Sequence, residues 1–357
     1  MAYLDATDLN DLQSLSASNE KRFPELGLVD AVADSTAAVD YIDPSTKEQL
    51  RTMSSARNAQ IPVLKDQDVT VVTTPGFNFI PSNLEESAQY TFTAVDVFSG
   101  LRHYPAQYGN NSIREEWAKK EKMKNICHKM GGKVEELLLT TLASRKTQAL
   151  SYTTPVSATS GDYNFNTGTD TLEIKKAAQD ETMYFSLVDL MDANEIGGNY
   201  RIVTSRAGLT RQRAEAAKYG AANDKNLQAL GFFGNDMMYQ TGSISAGSDR
   251  FNGYLFRDGA IGVIENHPYD FATSTSFGGK SWSISDMDLP FCRMRANVYV
   301  NNEATEAEAL VSGGDSNLKM THFAEMALWL RFYIVYRYNS DLTTRVNDIV
   351  KVQGLTT

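Results

Sequence analysis

Two cysteines and four histidines in 357 residues leave almost nothing from which to build a disulfide framework or a metal site. Cys127 and Cys292 are lone thiols, the first within an apolar helical pattern and the second beside Phe291, and they point to a reducing compartment. His103, His128, His267 and His322 are far apart with no pair at ligand spacing, so each reads as structural. His-Glu-x-x-His, Cys-x-x-Cys and Asp-rich calcium-loop patterns are all missing. So are the Gly-x-Ser-x-Gly elbow of hydrolases and the Gly-x-Gly-x-x-Gly fingerprint of dinucleotide sites. Gly279-Lys280-Ser281 has the ending of a phosphate-binding loop, but the first glycine of that motif would fall on Ser274. Asp286, Asp288, Glu85 and Glu86 sit in polar stretches, where carboxylates are ordinarily solvated. Asn110-Asn111-Ser112 is a formal glycosylation sequon without meaning in a cytosolic protein. No catalytic, cofactor-binding or metal-ligating residue is assigned, and the missing constellations shift weight from an enzyme towards an assembly protein.

Long hydrophobic runs are missing as well. No stretch approaches the roughly 18 apolar residues of a spanning helix, and Met1-Ala2-Tyr3-Leu4-Asp5 has neither the basic nor the apolar region of a signal peptide. The expectation is a protein made and kept in the cytosol, or in something assembled there, without a membrane partner. A net charge of −10 argues against a free-standing nucleic-acid binder, which needs basic faces to neutralise phosphates. It does not exclude a protein that merely encloses nucleic acid.

What the chain does contain is one very long helical pattern, from Ser112 to Gln148. Ser112-Ile113-Arg114-Glu115 fits a capping box, in which the Ser hydroxyl takes an orphan N–H and Glu115 reaches back to the cap. Ile113, Trp117, Met123, Ile126, Cys127, Met130, Val134, Leu137, Leu138 and Leu142 recur mostly in steps of three and four, predicting one core-facing stripe. Such a helix would span roughly 55 Å. Gly131-Gly132 lies in its middle, either as a break between two helices or as a bending point in one packed rod, since each glycine costs about 1 kcal/mol relative to Ala.

Around that helix the patterns change repeatedly. Residues 1 to about 60 are polar and acidic, with helical pieces near Asp8 to Leu15 and Thr46 to Arg57, and read either as an arm ordered by lying on something else or as a disordered tail. From Asp68 to Gly100 strand patterns take over. Val69 to Thr74 runs into Pro75-Gly76 and returns as Tyr90 to Ala94, a two-stranded excursion that needs a partner surface, most naturally another copy of the chain. After the helix, Thr182 to Glu195 is a second helix pattern, with Met183, Leu187, Leu190 and Met191 on one face. Tyr200 to Thr204 is a buried strand leading through Ser205 to a helix over about Leu209 to Tyr219. Asn252-Gly253 predicts a hairpin turn, followed by strands at Tyr254 to Phe256 and Ala260 to Glu265. Ala296 to Val300 is a strand, and Asn301 to Asn317 an exposed acidic loop or short helix. Phe323 to Tyr338 is nearly uninterrupted apolar sequence, ending in a central strand from Phe332. Ile349 to Val352 closes the chain.

Taken in order, an arm, a long β excursion, a very long helix, a mixed α/β unit and a hydrophobic closing strand, the sequence resembles a major capsid protein of a tailed double-stranded DNA bacteriophage. The passages that carry the resemblance are Asn111-Ser112-Ile113-Arg114-Glu115-Glu116-Trp117, Asn252-Gly253-Tyr254-Leu255-Phe256 and Phe332-Tyr333-Ile334-Val335-Tyr336-Arg337-Tyr338. The resemblance implies an α+β fold of the Hong Kong 97 type. Residues 1–60 would be the N-terminal arm, 61–110 the extended β loop, and 111–200 the peripheral domain with its spine helix. Residues 201–330 would be mainly the axial domain, and 331–357 the strands returning to the peripheral and axial sheet. It implies inter-subunit contacts at Pro75, Gly76, Phe77, Phe79, Tyr90 and Phe92, and a spine and hinge at Ser112, Glu115, Trp117, Gly131 and Gly132. Phe332, Ile334 and Tyr336 would be the core of the C-terminal strand. The implied partners are copies of the chain, as hexamers and pentamers of an icosahedral shell in a virion assembled in the host cytoplasm. Portal and scaffolding or decoration proteins would join them, and enclosed double-stranded DNA would be touched weakly. No cofactor is implied.

Two departures narrow this. Some members of the family weld subunits through a Lys of the extended loop, but no Lys occurs between Lys65 and Lys119, so covalent cross-linking from that loop is not expected. Some carry a long helical scaffolding segment ahead of the arm, and the sequence from Met1 is too short for one, so a separate scaffolding protein, or none, is expected. The nearest alternative is an encapsulin-like nanocompartment shell. From another class, the alternative is a cytosolic enzyme with an unrecognised site; a tail or decoration protein fits the long helix and mixed centre less well.

Overall fold

The stripe of the long helix decides where everything else lies. In the computed structural model of the chain, the described residues are 25–34, 42, 44–52, 58–64, 87–104, 112–155, 161–179, 183–208, 237–245, 247–266, 276–277, 280–308, 319–336 and 347–357. In chain order they form α1 (Gly27–Ala33), α2 (Pro44–Thr52), β1 (Asn58–Leu64), β2 (Ser87–His103), α3 (Ser112–Arg145), β3 (Tyr163–Asn166) and β4 (Thr171–Ile174). After a 3-10 turn at Lys176–Ala178 come α4 (Met183–Ala193), β5 (Tyr200–Ser205), β6 (Met237–Thr241), β7 (Phe251–Arg257) and β8 (Ile261–Glu265). Then follow β9 (Ser276–Phe277), β10 (Lys280–Ser281), β11 (Ser283–Asp288), β12 (Arg295–Glu308), β13 (Lys319–Tyr336) and β14 (Ile349–Gly354). The architecture is mixed α+β.

Two six-stranded sheets organise the strands. The first runs β1-β2-β13-β12-β11, with β8 also paired to β13, and the second runs β3-β4-β14-β7-β5-β6. The long helix packs between them. Met123, Cys127, Met130, Val134, Leu138 and Leu142 are buried in one cluster with Val97 of β2, Ala296 and Val298 of β12, and Met326, Leu328, Leu330 and Phe332 of β13. The same cluster takes Val203, Phe256 and Ile349 from the second sheet. At its C-terminal end α3 is stitched to β14, where Thr147 N donates to Ile349 O at 2.7 Å. A second cluster packs Met183, Leu187, Leu190 and Met191 of α4 against Ile202, Leu255, Val350 and Val352. The apolar closing segments are central strands, as their composition predicts. β13 lies between β2 and β12, and β14 lies between β4 and β7. Phe332 is fully buried, Ile334 packs partly buried on the main cluster, and Tyr336 packs partly buried on the third, where Tyr333 and Val335 are buried with Ile42 and Leu50.

Several expectations need correcting. The first strand of the β excursion lies earlier in the chain than predicted: Asn58 to Leu64 pairs antiparallel with Thr93 back to Ser87, and Val69 to Thr74 lie outside the described residues. Asn252-Gly253 is no hairpin turn but the interior of β7, where a Cβ on Gly253 would stand 2.7 Å from Val203 O; the glycine serves a close strand approach. The turn falls instead at Asp258-Gly259, with Gly259 at φ 87°, and there the chain leaves the second sheet for β8 in the first. Asn301 to Glu308 is strand rather than loop, pairing through Glu308↔Lys319 after an irregularity between Asn301 and Ala304. The described parts of the leading sixty residues lie on the chain's own body: Leu28, Val29, Ala31 and Val32 enter the main cluster, Ile42 and Leu50 the third. The helix expected from about Leu209 and the helical piece near Asp8 lie outside the described residues.

The helix runs unbroken through Gly131-Gly132, so the reading of a break is overturned. The two glycines differ in what surrounds them. A Cβ on Gly131 would come within 2.7 Å of Leu26 Cδ1, whereas one on Gly132 would meet nothing within 4 Å. Gly132→Ala is therefore expected to stabilise the fold by up to about 1 kcal/mol through helix propensity. In Gly131→Ala the Leu26 side chain has to swing aside, which cancels most of that gain. Urea unfolding of the two variants measures the difference, and equal midpoints would refute the close packing at Gly131.

Candidate assembly interface

The first turns of α3 carry apolar side chains that the chain does not cover. Ile113 is 81 % exposed and Trp117 65 %, against the prediction that both face the core. The reason is angular. At 100° per residue Trp117 lies about 120° around the helix from Met123, where the buried stripe begins. Ser112 does start the helix, but Glu115 is engaged elsewhere: its Oε1 lies 2.8 Å from Nε2 of the buried His103 at the end of β2. That pair joins β2 to the start of α3 and fixes the rotation at which Ile113 and Trp117 are presented.

Behind this point, the face of the first sheet turned away from α3 holds a row of aromatic and paired charged side chains. Phe98 is 68 % exposed on β2, opposite Trp329 of β13. Trp329 Nε1 donates to Asp96 Oδ1 at 3.0 Å, and Arg331 Nε reaches the same oxygen at 2.9 Å with its guanidinium 5.5 Å from the Trp329 ring. Arg102 pairs with Glu325 at 3.0 Å. Tyr299 stands 6.4 Å from Trp329 and 6.5 Å from Trp282, ring centre to ring centre. Sequence patterning does not reveal this row, because the strands bearing it also supply the buried core.

The β1–β2 ladder is the element expected to seat on a neighbour. Among the described residues β1 pairs with β2 alone. Phe92, expected at an inter-subunit contact, is 3 % exposed within the chain's own third cluster, edge-on to Tyr336 at 5.6 Å. Tyr90 packs partly buried beside it. The Tyr336 hydroxyl accepts from Arg145 Nη2 at 2.7 Å, tying the end of α3 to β13. Pro75, Gly76, Phe77 and Phe79 lie outside the described residues.

On the other flank of α3 a buried carboxylate holds α1. Glu135 accepts from Leu28 N at 3.2 Å and from Ser243 Oγ at 3.0 Å. Arg293 pairs with Asp30 at 3.2 Å and with Asp34, whose second oxygen accepts from the Tyr239 hydroxyl at 3.0 Å. Arg201 donates to Asp34 O at 3.0 Å and lies 3.4 Å from Asp258. Beyond Glu135 a groove of about 590 Å³ opens between α3 and the residues after β6, lined by Gly132, Leu139, Thr140, Ile244, Tyr254 and Lys351 among others. Among the described residues no group of three or more His, Cys, Asp or Glu could hold a metal ion, and no described helix is long and apolar enough to cross a membrane. Cys127 and Cys292 are buried free thiols, and burial pushes both up to about 12.

Burial raises the Glu135 carboxyl above its ordinary value, and the bonds from Thr241, Leu28 and Ser243 offset this only in part. A carboxyl raised on folding favours the native state while it is protonated, and that contribution is lost as pH rises from about 4.5 through the folded value. Glu135→Gln removes the charge while keeping an acceptor for Leu28 N. Its stability relative to the native chain is expected to grow from pH 4.5 towards 7 and to vanish below that range. Urea midpoints across that range check this, and a pH-independent difference would refute it.

No protein family and no curated protein matches the sequence. Solved structures do. One titled "Mycobacterium phage Adephagia" is 12 % identical and aligns 88 % of this chain with 92 % of its own at a TM-score of 0.45. One titled "Mycobacterium phage Che8" is 8 % identical over 88 % and 89 %, also at 0.45. "Capsid of Ralstonia phage GP4" is 12 % identical over 87 % and 86 %, at 0.39. All three TM-scores are below 0.5, so the functional reading rests on the chain's own surfaces.

Proposed function

We propose that this chain is the major capsid protein of a tailed double-stranded DNA bacteriophage with a Hong Kong 97 type fold. It assembles as hexamers and pentamers into an icosahedral shell around packaged DNA. The observation that carries the reading is the β1–β2 ladder, whose seven pairs from Asn58↔Thr93 to Leu64↔Ser87 engage no third strand among the described residues. Tyr90 and Phe92 tie one end of the ladder to the chain's own third cluster, but a projecting two-stranded edge is marginal in water without further cover, and a neighbouring copy is its natural support. Exposed Ile113 and Trp117 on the same molecule supply the kind of anchor that interfaces concentrate. On this reading residues 1–60 are the arm and 61–110 the extended loop, with α3 the spine of a peripheral domain over 111–200. Residues 201–330 form mainly the axial domain, and 331–357 return to the shared sheet. The protein has no catalytic turnover. Its acidic balance suits a shell that must let a polyanion go, and portal and scaffolding or decoration proteins complete the particle.

Sedimentation and negative-stain microscopy of the expressed chain test the proposal. Closed particles or capsomer rings are the expected result, and a stable monomer at high concentration would overturn it. Nucleic acid inside particles from infected cells separates a genome shell from a protein-cargo compartment. Ile113→Ser with Trp117→Ser removes an exposed anchor without touching the core. Its melting temperature is expected to match that of the native chain, while assembly weakens by about 2 kcal/mol or more per contact.

A further inference from the structure

The face of the first sheet turned away from α3 is covered at one end and bare at the other. Ile42 and Leu50 pack there on Phe92, Ala94, Tyr333 and Val335. Past the linked Asp96, Trp329 and Arg331, three cross-strand pairs follow on the same face: Phe98↔Trp329, Gly100↔Ala327 and Arg102↔Glu325. The middle pair brings almost no side chain. A Cβ built on Gly100 would stand 3.9 Å from Ala327 Cβ, so the two small residues share one floor. Phe98 and Arg102 are about 13 Å apart along β2, and between them the floor forms a notch with one aromatic and one charged wall. Over Ala94 to His103 β2 pairs with β13 alone among the described residues, so the notch opens at the other edge of β2.

We propose that this notch is the socket for Trp117 of a second copy of the chain, a contact that names the partner surface within the shell reading and rests on it. Chemistry selects an aromatic knob. Asp96 engages Trp329 and Arg331, and Arg102 engages Glu325, so the walls present ring faces and a half-exposed guanidinium rather than open donors and acceptors. An indole between Phe98 and Arg102 gains a ring contact on one side and a cation–π contact on the other. The knob is made to match. Trp117 is held outward with Ile113 one turn before it, and Glu116 and Lys120 beside it already pair at 3.3 Å. Closing the two surfaces therefore leaves no charge stranded. Trp117 cannot enter its own chain's notch, because α3 packs on the opposite face of the sheet, against Met326, Leu328 and Leu330. Each copy thus gives a knob to one neighbour and receives one from another, the head-to-tail arrangement that closes into rings.

The test replaces Trp117 with the photoreactive benzoylphenylalanine in the full chain, assembled from a mixture of ordinary and isotope-labelled copies so that capture between chains is told from capture within one. Attachment to Phe98, Gly100, Arg102 or Trp329 of a second copy is the expected result. Particles that form with attachment elsewhere would overturn this contact and leave the shell reading standing, whereas a chain that stays monomeric would overturn both. A double-mutant cycle is the second measurement. Trp117→Ser and Phe98→Ser are each expected to raise the concentration needed for assembly by about 30-fold, and together by little more than either alone. Effects that multiply would likewise overturn the proposal.

Discussion

One apolar stripe on α3 must be covered from three directions at once, and the fold follows from that demand. Met123, Cys127, Met130, Val134, Leu138 and Leu142 follow one another at steps of three or four. Each of the Met, Val and Leu side chains is worth about 1.5 to 3 kcal/mol when removed from water, so leaving the stripe half covered is not an option for a marginally stable chain. The first sheet covers one side with β2, β12 and β13, and the second covers another through Val203, Phe256 and Ile349. The remaining side is closed by α1, seven residues with too few internal hydrogen bonds to be stable alone. Glu135 sits inside this third seam. A carboxylate there is tolerable because Leu28 N and Ser243 Oγ meet it, which makes α1 part of the electrostatic solution as well as of the packing.

The sequence made legible those features in which a short-range pattern and its long-range partner coincide. The start of α3 at Ser112, the face of α4, the burial of β5 and the central positions of β13 and β14 all belong to that group. Where the two part company, the pattern misleads. Ile113 and Trp117 continue the spacing of the stripe, but the six residues from Trp117 to Met123 leave Trp117 about 120° off it, and nothing in the sequence says where the covering sheet ends. Asn252-Gly253 carries strong turn chemistry in isolation, yet the glycine answers to Val203 on the adjacent strand. Asn301 to Glu308 looks like an acidic loop because its strand character depends on pairing with residues beyond Lys319. Of the candidate surfaces, the ribbon was visible in the alternation of Tyr90 to Ala94. The row from Phe98 to Trp282 was not, since only cross-strand register brings those rings together.

The exposure of Trp117 is a consequence of structure elsewhere rather than a local accident. To bury it against its own chain, α3 would have to rotate by about a third of a turn. That rotation would carry Met123 and Cys127 out of the core and part Glu115 from His103, leaving a histidine with no exposed surface to lose its 2.8 Å carboxylate partner. The cost of moving several buried side chains into water exceeds what one indole returns. The body of the chain therefore holds an apolar side chain outward against its own hydrophobic preference. Among the described residues nothing covers Trp117 without disturbing the stripe, and an apolar side chain held out in this way is a surface that a partner can cover.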